Sequence, residues 1–164
     1  MVMIGTRALI RPGHGANKMK TDSGLTDSLT SGGSPILLVE DDDIDALAFR
    51  RTMANAHWKN EIVWVPSGIC AVEKLAGKQD YAAVFTDLML REMDGFAVIA
   101  WVKERFPNLP VIAISHRDDE ESITKAFAAG ADFYIPKPIR QVDLLNLVHN
   151  CSHRLTPATG APAS

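Results

Sequence analysis

Cysteine, excess basic charge and long apolar runs are all missing or scarce in this chain of 164 residues. Its two cysteines, Cys70 and Cys151, lie far apart and form no C-x-x-C pair, so neither a disulfide framework nor a zinc site is implied. No apolar run approaches the roughly 18 residues that a membrane-spanning helix needs. The 17 Lys and Arg residues against 20 Asp and Glu give a net charge of −3, so we expect no direct nucleic-acid partner. The first residues lack a signal-peptide pattern, and a cytoplasmic protein is the expectation.

Glycine, serine and threonine are concentrated near the N-terminus, where they make up ten of the fourteen residues from Thr21 to Ser34. Such a segment cannot bury a core. We therefore predict three regions: a disordered extension over residues 1–34, one globular domain over 35–153, and a flexible tail over 154–164. The tail is too short and too polar to be an output domain.

Short apolar runs alternate with amphipathic helical patterns through the globular region. This alternation favours βαβ units and an α/β fold: a doubly wound, five-stranded parallel sheet with helices on both faces. The nearly continuous apolar character of the central strands fits burial on both faces. The predicted strands are 36–39, 61–65, 82–86, 110–114 and 132–135, and the predicted helices are 44–56, 67–77, 95–105, 119–129 and 140–152.

Polar residues close four of these five apolar runs. Glu40 and Asp41 follow the first run, Asp87 the third, Ser115 the fourth and Lys137 the fifth. Because the carboxyl ends of parallel strands lie along one edge of the sheet, these side chains are expected in one crevice. Clustered carboxylates suit a hard cation such as Mg²⁺, and a lysine with a hydroxyl suits a phosphoryl group. The pattern indicates an aspartate that accepts a phosphoryl group.

The order and spacing of several short motifs match a known family. The chain resembles the receiver domain of two-component response regulators, the CheY-like superfamily, over residues 35–153. This resemblance implies a flavodoxin-like fold with strand order 2-1-3-4-5. The matching segments are residues 36–42 (ILLVEDD), 86–89 (TDLM), 93–96 (MDGF), 110–115 (PVIAIS), 129–132 (AGAD) and 137–138 (KP).

The resemblance assigns roles in phosphoryl transfer to individual positions. Asp87 matches the phosphoacceptor, and Lys137 matches the lysine that pairs with it. Glu40 and Asp41 match the acidic pair behind Mg²⁺, with Asp87 itself and the backbone carbonyl of Met89 as further metal ligands. A carboxylate attacks an anionic phosphoryl group only poorly, which is why a divalent cation is needed there.

Other matched positions concern the switch and its departures from the family. Ser115 matches the switch hydroxyl and Tyr134 the switch aromatic, and the peptide bond before Pro138 is expected to be cis. Arg91 stands where the family commonly has proline, which changes the charge or mobility of the loop after Asp87. His116 follows Ser115 where a small residue is usual, and either hinders loop closure or faces solvent.

The resemblance implies a stand-alone regulatory phosphoacceptor and not a turnover enzyme. Its expected phosphodonor is a histidine kinase or a histidine phosphotransfer protein, and its downstream protein target is expected on the face of the fourth helix, fifth strand and fifth helix, near Tyr134. A homodimer is compatible with this scheme. Two alternatives stay open. One is a degenerate receiver that acts without phosphorylation, and the other is an aspartate-nucleophile phosphatase of the haloacid dehalogenase type, which needs an acid where this chain has Met89.

Overall fold

A parallel five-stranded sheet forms the centre of the computed structural model, which describes residues 2–4 (backbone only), 8–11 and 33–147. Its strands are β3 (Ile36–Val39), β4 (Ile62–Val65), β5 (Ala83–Asp87), β6 (Val111–Ser115) and β7 (Phe133–Pro136). They lie in the order β4-β3-β5-β6-β7, with all four neighbouring pairs parallel. This arrangement is the 2-1-3-4-5 order, so the predicted fold class is confirmed.

The helices begin where polar side chains cap them. They are α1 (Asp43–Asn55), α2 (Gly68–Leu75), α3 (Gly95–Arg105), α4 (Glu120–Ala129) and α5, of which residues 141–147 are described. A side-chain oxygen accepts a backbone N–H of the first turn at each of the first four helices, satisfying a donor that has no partner within the helix. The capping residues are Asp42, Ser67, Asp94 and Asp119.

Two hydrophobic layers cover the two faces of the sheet. Ile36 and Leu38 of β3 pack into one layer with the helices α1 and α5, whereas Leu37 and Val39 pack into the other with α2, α3 and α4. Successive residues of a strand point to opposite faces, so a strand buried on both faces must be apolar throughout. The unbroken apolar runs in the sequence have this physical cause.

Two further strands extend the sheet beyond β7. Residues Val2–Ile4 form β1 and Ala8–Ile10 form β2; they pair antiparallel with each other, and β2 pairs antiparallel with β7. The prediction of a disordered extension over residues 1–34 is therefore wrong for these two segments, and the sheet has seven strands. The sequence signal is weak because each strand has only three residues, too few to show a period.

The docking of β2 has a clear physical basis in the edge strand that it covers. An uncovered β7 would expose a row of unpaired backbone groups. Pairing with β2 satisfies them and buries Leu9 opposite Tyr134 and Ile10 opposite Phe133. Arg11 continues the contact, since its N–H donates to the Asp132 carbonyl at 3.2 Å. The predicted output face includes the fifth strand of the parallel sheet, which is β7. The edge of this strand is covered by β2 of the same chain.

Other parts of the chain lie outside the described residues. These include the segments 12–32 and 148–164, and with them the predicted tail, Cys151 and the C-terminal limit of the domain. The predicted domain boundaries stay predictions for that reason. Among the residues that the structure does describe, no helix is long and apolar enough to cross a membrane.

Replacing Leu9 by aspartate is expected to undock β2, because a carboxylate would enter an apolar contact with Tyr134. The free energy of unfolding should fall by about 2–4 kcal/mol, and amide hydrogen exchange of residues 133–136 should accelerate. The matched control is Ile44→Asp, which places the same charge on a side chain that is 77% exposed. Unchanged exchange in β7 of the Leu9 variant, measured by mass spectrometry, would show that the strand does not depend on β2.

Candidate functional site

The carboxyl edge of the parallel sheet brings the predicted polar residues together. Asp87 is the last residue of β5 and Ser115 the last of β6, while Glu40 directly follows β3 and Lys137 directly follows β7. Strand register sets their alignment: Asp87 pairs with Ile114 across β5 and β6, and Ser115 pairs with Pro136 across β6 and β7. Glu40, Asp87, Ser115 and Lys137 are all buried, so this crevice carries several polar groups away from water.

The ammonium of Lys137 lies at the centre of the site. Its Nζ is 2.5 Å from Glu40 Oε2, 2.7 Å from Asp87 Oδ2 and 2.8 Å from Asp45 Oδ2. Burial opposes the positive charge, but hydrogen bonds with Asp45, Asp87 and Glu40 outweigh that effect and raise the pKa of Lys137. The lysine is therefore held as a cation among three carboxyl groups.

Glu40 is the most strongly perturbed carboxyl group in the site. Burial raises its pKa to about 7, against the opposing hydrogen bond and charge of Lys137, and the nearby Asp87 adds to the rise. Its backbone carbonyl also accepts a hydrogen bond from the Trp64 indole at 2.8 Å, which ties this position to β4. Holding Glu40 ionised therefore costs free energy unless a further positive charge is present.

The backbone around Asp87 is fixed from two directions. The Met89 N–H donates to Asp87 Oδ1 at 2.9 Å, so the loop after β5 folds back on the carboxylate. At the start of α3, a Cβ on Gly95 would lie 2.0 Å from the Asp87 carbonyl oxygen. Only glycine permits this approach, and the Gly95 N–H donates to the Leu88 carbonyl at 3.1 Å.

Asp41 and Asp45 differ from the expectation. Asp41 is predicted beside Glu40 and Asp87, but its half-buried carboxylate pairs with Arg91, with Oδ2 3.2 Å from the Arg91 Nε. Asp45 lies in the first turn of α1, where an acidic side chain interacts favourably with the positive end of the helix. Its carboxylate also joins the site, and one oxygen each of Glu40, Asp45 and Asp87 lie within 4.8 Å of one another.

The missed role of Asp45 has a partial signal in the sequence. The acidic run from Glu40 to Asp45 indicates that α1 begins at the sheet edge, and Asp42 takes the capping position. A residue on the first turn of such a helix can turn toward the sheet edge. Which of the acids does so depends on the start and tilt of the helix, and the pattern alone does not settle it.

Ser115 and Tyr134 are linked through the loop between β6 and α4. The Arg117 N–H donates to Ser115 Oγ at 3.1 Å, and the Tyr134 hydroxyl donates to the Arg117 carbonyl. Tyr134 is fully buried, with its ring centroid 6.5 Å from that of Phe127. Burial raises the pKa of Tyr134 to about 12, partly opposed by a hydrogen bond to Ser115. The two predicted switch residues thus contact the same loop residue.

Two other predicted features are also placed. The bond between Lys137 and Pro138 is cis, as expected. His116 is mostly exposed, yet its Nε2 lies 2.9 Å from Asp45 Oδ2, so it contacts the acidic group as well as solvent.

The donor set fits a divalent cation that prefers oxygen. Among the described residues, the candidate ligands are carboxylates and a backbone carbonyl, and the imidazole of His116 is bonded to Asp45. Burial raises the pKa of Glu40, and the charge of Asp87 adds to the rise, so a cation beside Glu40 would favour its ionised form. Arg91 pairs with one oxygen of Asp41 and so competes with a cation for this carboxylate.

A comparison with protein-family models decides the family. The model described as the response regulator receiver domain matches residues 36–149, which is more than half of the chain. The chain belongs to the response regulator receiver domain family.

Similar proteins come from plants and bacteria. The two-component response regulator ORR11 of Oryza sativa subsp. indica is 25% identical over 82% of this chain and 93% of its own length. The response regulator MprA of Mycolicibacterium vanbaalenii is 30% identical over 79% of this chain, but the match covers only 54% of MprA. Among solved structures, the phosphorylated cyanobacterial phytochrome response regulator RcpA is 27% identical, with a TM-score of 0.58 over 77% of this chain and 96% of RcpA.

Because ionising Glu40 costs free energy in this receiver, we expect the free energy of unfolding of the metal-free protein to depend on pH. Because the folded-state pKa is about 7 against an ordinary value of 4.5, the folded protein binds the proton more tightly than the unfolded chain. The contribution of Glu40 to stability is therefore fully present below pH 4.5 and is lost as the pH rises through about 7. Glu40→Gln removes this loss, so at pH 8 the variant should exceed the wild type by on the order of 1–3 kcal/mol.

The measurement is urea unfolding in a chelating buffer at several pH values. The difference between Glu40→Gln and wild type should shrink toward zero near pH 4. Glu73→Gln, at an exposed position of α2, is the control and should show no such pH trend. A Glu40 variant that is less stable than wild type at pH 8 would contradict the argument.

Proposed function

We propose that this receiver accepts a phosphoryl group on Asp87 from a phosphohistidine of a histidine kinase or a histidine phosphotransfer protein. The observation that carries the proposal is the environment of the Asp87 carboxylate. One oxygen accepts from the Lys137 ammonium at 2.7 Å and the other from the Met89 N–H at 2.9 Å, at the end of a rigid central strand. A relative of similar fold, RcpA, is described as phosphorylated, which supports the same chemistry here.

In the proposed reaction an Asp87 oxygen forms a bond to phosphorus while the phosphorus–nitrogen bond of the phosphohistidine breaks. The electron pair of that bond leaves with the imidazole of the donor. Lys137 is close enough to the carboxylate to bind an oxygen of the transferred group, and Ser115, at the end of the neighbouring strand, supplies a hydroxyl that can donate to another. Both contacts stabilise negative charge on the phosphoryl group.

We propose Mg²⁺ as the cofactor, held by Glu40, Asp41, Asp87 and the backbone carbonyl of Met89. When bound, the cation neutralises charge on the phosphoryl oxygens and so allows an anionic nucleophile to approach. Asp41 contributes only after it separates from Arg91, and Arg91 is 84% exposed on its side chain, so it has room to swing away. Arg91 is then a competitor for the metal ligand and not merely a substitute for proline.

The proposed output is a phosphorylation-dependent contact with another protein or a second copy. Tyr134, the predicted switch aromatic, is already buried here, and β2 covers the edge of β7. We therefore place the expected change in the loop from Ser115 to Arg117 and in α4 and not in a rotation of Tyr134. Residues 35–153 form the proposed receiver unit.

Asp87→Asn should abolish Mg²⁺-dependent labelling by a small-molecule phosphodonor while leaving the fold intact, because an amide keeps the shape but does not attack phosphorus. Phosphate incorporation is measured by intact-protein mass spectrometry, and folding by circular dichroism. Asp80→Asn, an exposed aspartate before β5, is the control and should label like wild type.

The same experiment separates the alternatives. If the protein is a degenerate receiver, the wild-type protein will not become labelled. If it is a phosphatase, it will release phosphate over many turnovers without accumulating label. Labelling of folded Asp87→Asn at the wild-type rate would contradict the proposed acceptor.

Arg91→Ala should tighten Mg²⁺ binding by roughly two- to fivefold, because the exposed ion pair with Asp41 no longer competes with the cation. The gain should diminish at high salt, which already weakens an exposed ion pair. Binding is followed by calorimetry, with Arg105→Ala as the control, since Arg105 is an exposed arginine paired with the neighbouring Glu104. Equal Mg²⁺ affinity of wild type and Arg91→Ala at low salt would remove Asp41 from the metal site.

A further inference from the structure

Asp45 makes two contacts that no helix-end role explains. A single oxygen, Oδ2, lies 2.8 Å from Lys137 Nζ and 2.9 Å from His116 Nε2. Burial raises the pKa of Asp45, but the hydrogen bonds from Lys137 and then His116 outweigh it and lower that pKa overall. Because an ionised carboxylate only accepts hydrogen bonds, His116 carries a proton on Nε2 in this contact.

The start of α1 does not require the Asp45 side chain. Asp42 caps the helix, accepting from the N–H groups of Ile44 and Asp45 at 2.8 and 2.9 Å. The buried residues Phe49 and Met53 attach the helix to the sheet. The Asp45 carboxylate is therefore available for a task at the site.

The two partners of Asp45 belong to the parts of the site that must respond to a phosphoryl group. Lys137 also binds Asp87, so its ammonium is divided between the acceptor and Asp45. His116 directly follows Ser115 at the start of the β6–α4 loop, opposite the helix α1 that carries Asp45. One carboxylate thus joins the lysine on one side of the site to the switch loop on the other.

We propose that Asp45 is a positioning residue that holds the resting arrangement of the receiver, by retaining Lys137 and by fixing the β6–α4 loop through His116. The inference rests on the proposed phosphoacceptor role of Asp87. A phosphoryl group on Asp87 draws Lys137 toward its own oxygens and Ser115 toward it, and both movements weaken the contacts of Asp45. An interaction that favours the resting state lowers the affinity for anything that binds the other state.

Loss of the Asp45 carboxylate is therefore expected to favour the phosphoryl-bound state. In the presence of Mg²⁺, Asp45→Ala should bind beryllofluoride, a phosphoryl mimic, roughly three- to tenfold more tightly than wild type. His116→Ala should give a smaller gain of roughly two- to threefold, since it removes only one of the two contacts. The double variant should bind no more tightly than Asp45→Ala, because both substitutions act through the same carboxylate.

The matched control separates positioning from charge. Asp43→Ala removes an equal charge from the same helix turn at an exposed residue, for which neither a hydrogen bond nor an ion pair is found in the described part of the chain. Its beryllofluoride affinity should stay within about twofold of wild type, the effect of a screened surface charge. If Asp43→Ala increases the beryllofluoride affinity as much as Asp45→Ala does, the effect is due to net charge and the proposal is overturned.

A spectroscopic readout tests the resting state without metal or mimic. The amide signals of His116 and Arg117 in Asp45→Ala should move along the line from free to beryllofluoride-bound wild type, whereas Asp43→Ala should leave them in place. Signals that stay at the free wild-type position, or move off that line, would show that Asp45 does not hold the loop.

Three further outcomes are decisive. If Asp45→Ala lowers the Mg²⁺ affinity as much as Asp41→Asn does, Asp45 is a metal ligand and the positioning role is overturned. Wild type that binds no beryllofluoride and accepts no phosphoryl group would overturn the proposed function, whatever the amide signals show. If the wild-type protein binds beryllofluoride but Asp45→Ala binds it no more tightly, this inference is overturned and the proposed function is not.

Discussion

The sharing of one ammonium among three carboxyl groups is the interaction on which the site depends. A parallel sheet places the ends of its strands along one edge, and here that edge gathers Glu40 and Asp87, with Asp45 reaching in from the helix. Like charges held this close raise one another's proton affinity. Lys137 offsets this repulsion, and it can do so only because β7 lies beside β6 and delivers it to the same crevice. The favourable placement of Lys137 among the carboxyl groups thus depends on the strand order.

The site is also connected to its surroundings by backbone contacts that leave little room for substitution. Gly95 brings the first turn of α3 against the carbonyl of Asp87, so the Asp87 backbone and the helix are positioned together. On the other side, Ser115 and Tyr134 both bind the backbone of Arg117. Ser115, at the site, and Tyr134, beneath the loop, are therefore joined through one residue of the β6–α4 loop.

Much of this architecture follows from the sequence, because burial on both faces of a parallel sheet leaves a strong apolar pattern. The predicted strands lie within one residue of the observed ones, and Asp87, Ser115 and Lys137 converge because each closes a strand. The strand order came from resemblance to a family and not from the pattern. Glu40 converges for the same reason as the others, as its position after β3 fixes it.

The features that could not be predicted from the sequence depend on contacts between residues that are far apart in the chain. Whether Asp41 or Asp45 turns toward Lys137 is set by the tilt of α1 and by the competing arginine at position 91. The buried position of Tyr134 depends on its packing against Phe127 and β2. Strands of three residues are too short to show an alternating pattern, so β1 and β2 become recognisable only through the pairing of β1 with β2 and of β2 with β7.

That pairing has a consequence for how the molecule is assembled. Leu9 and Tyr134 are about 125 residues apart in the chain, yet they are neighbours in the sheet. Contacts of such long sequence separation require the closure of a large loop, which costs chain entropy before the contact is gained. Although β2 is synthesised well before β7, it has no edge to join until β7 has been synthesised and laid beside β6.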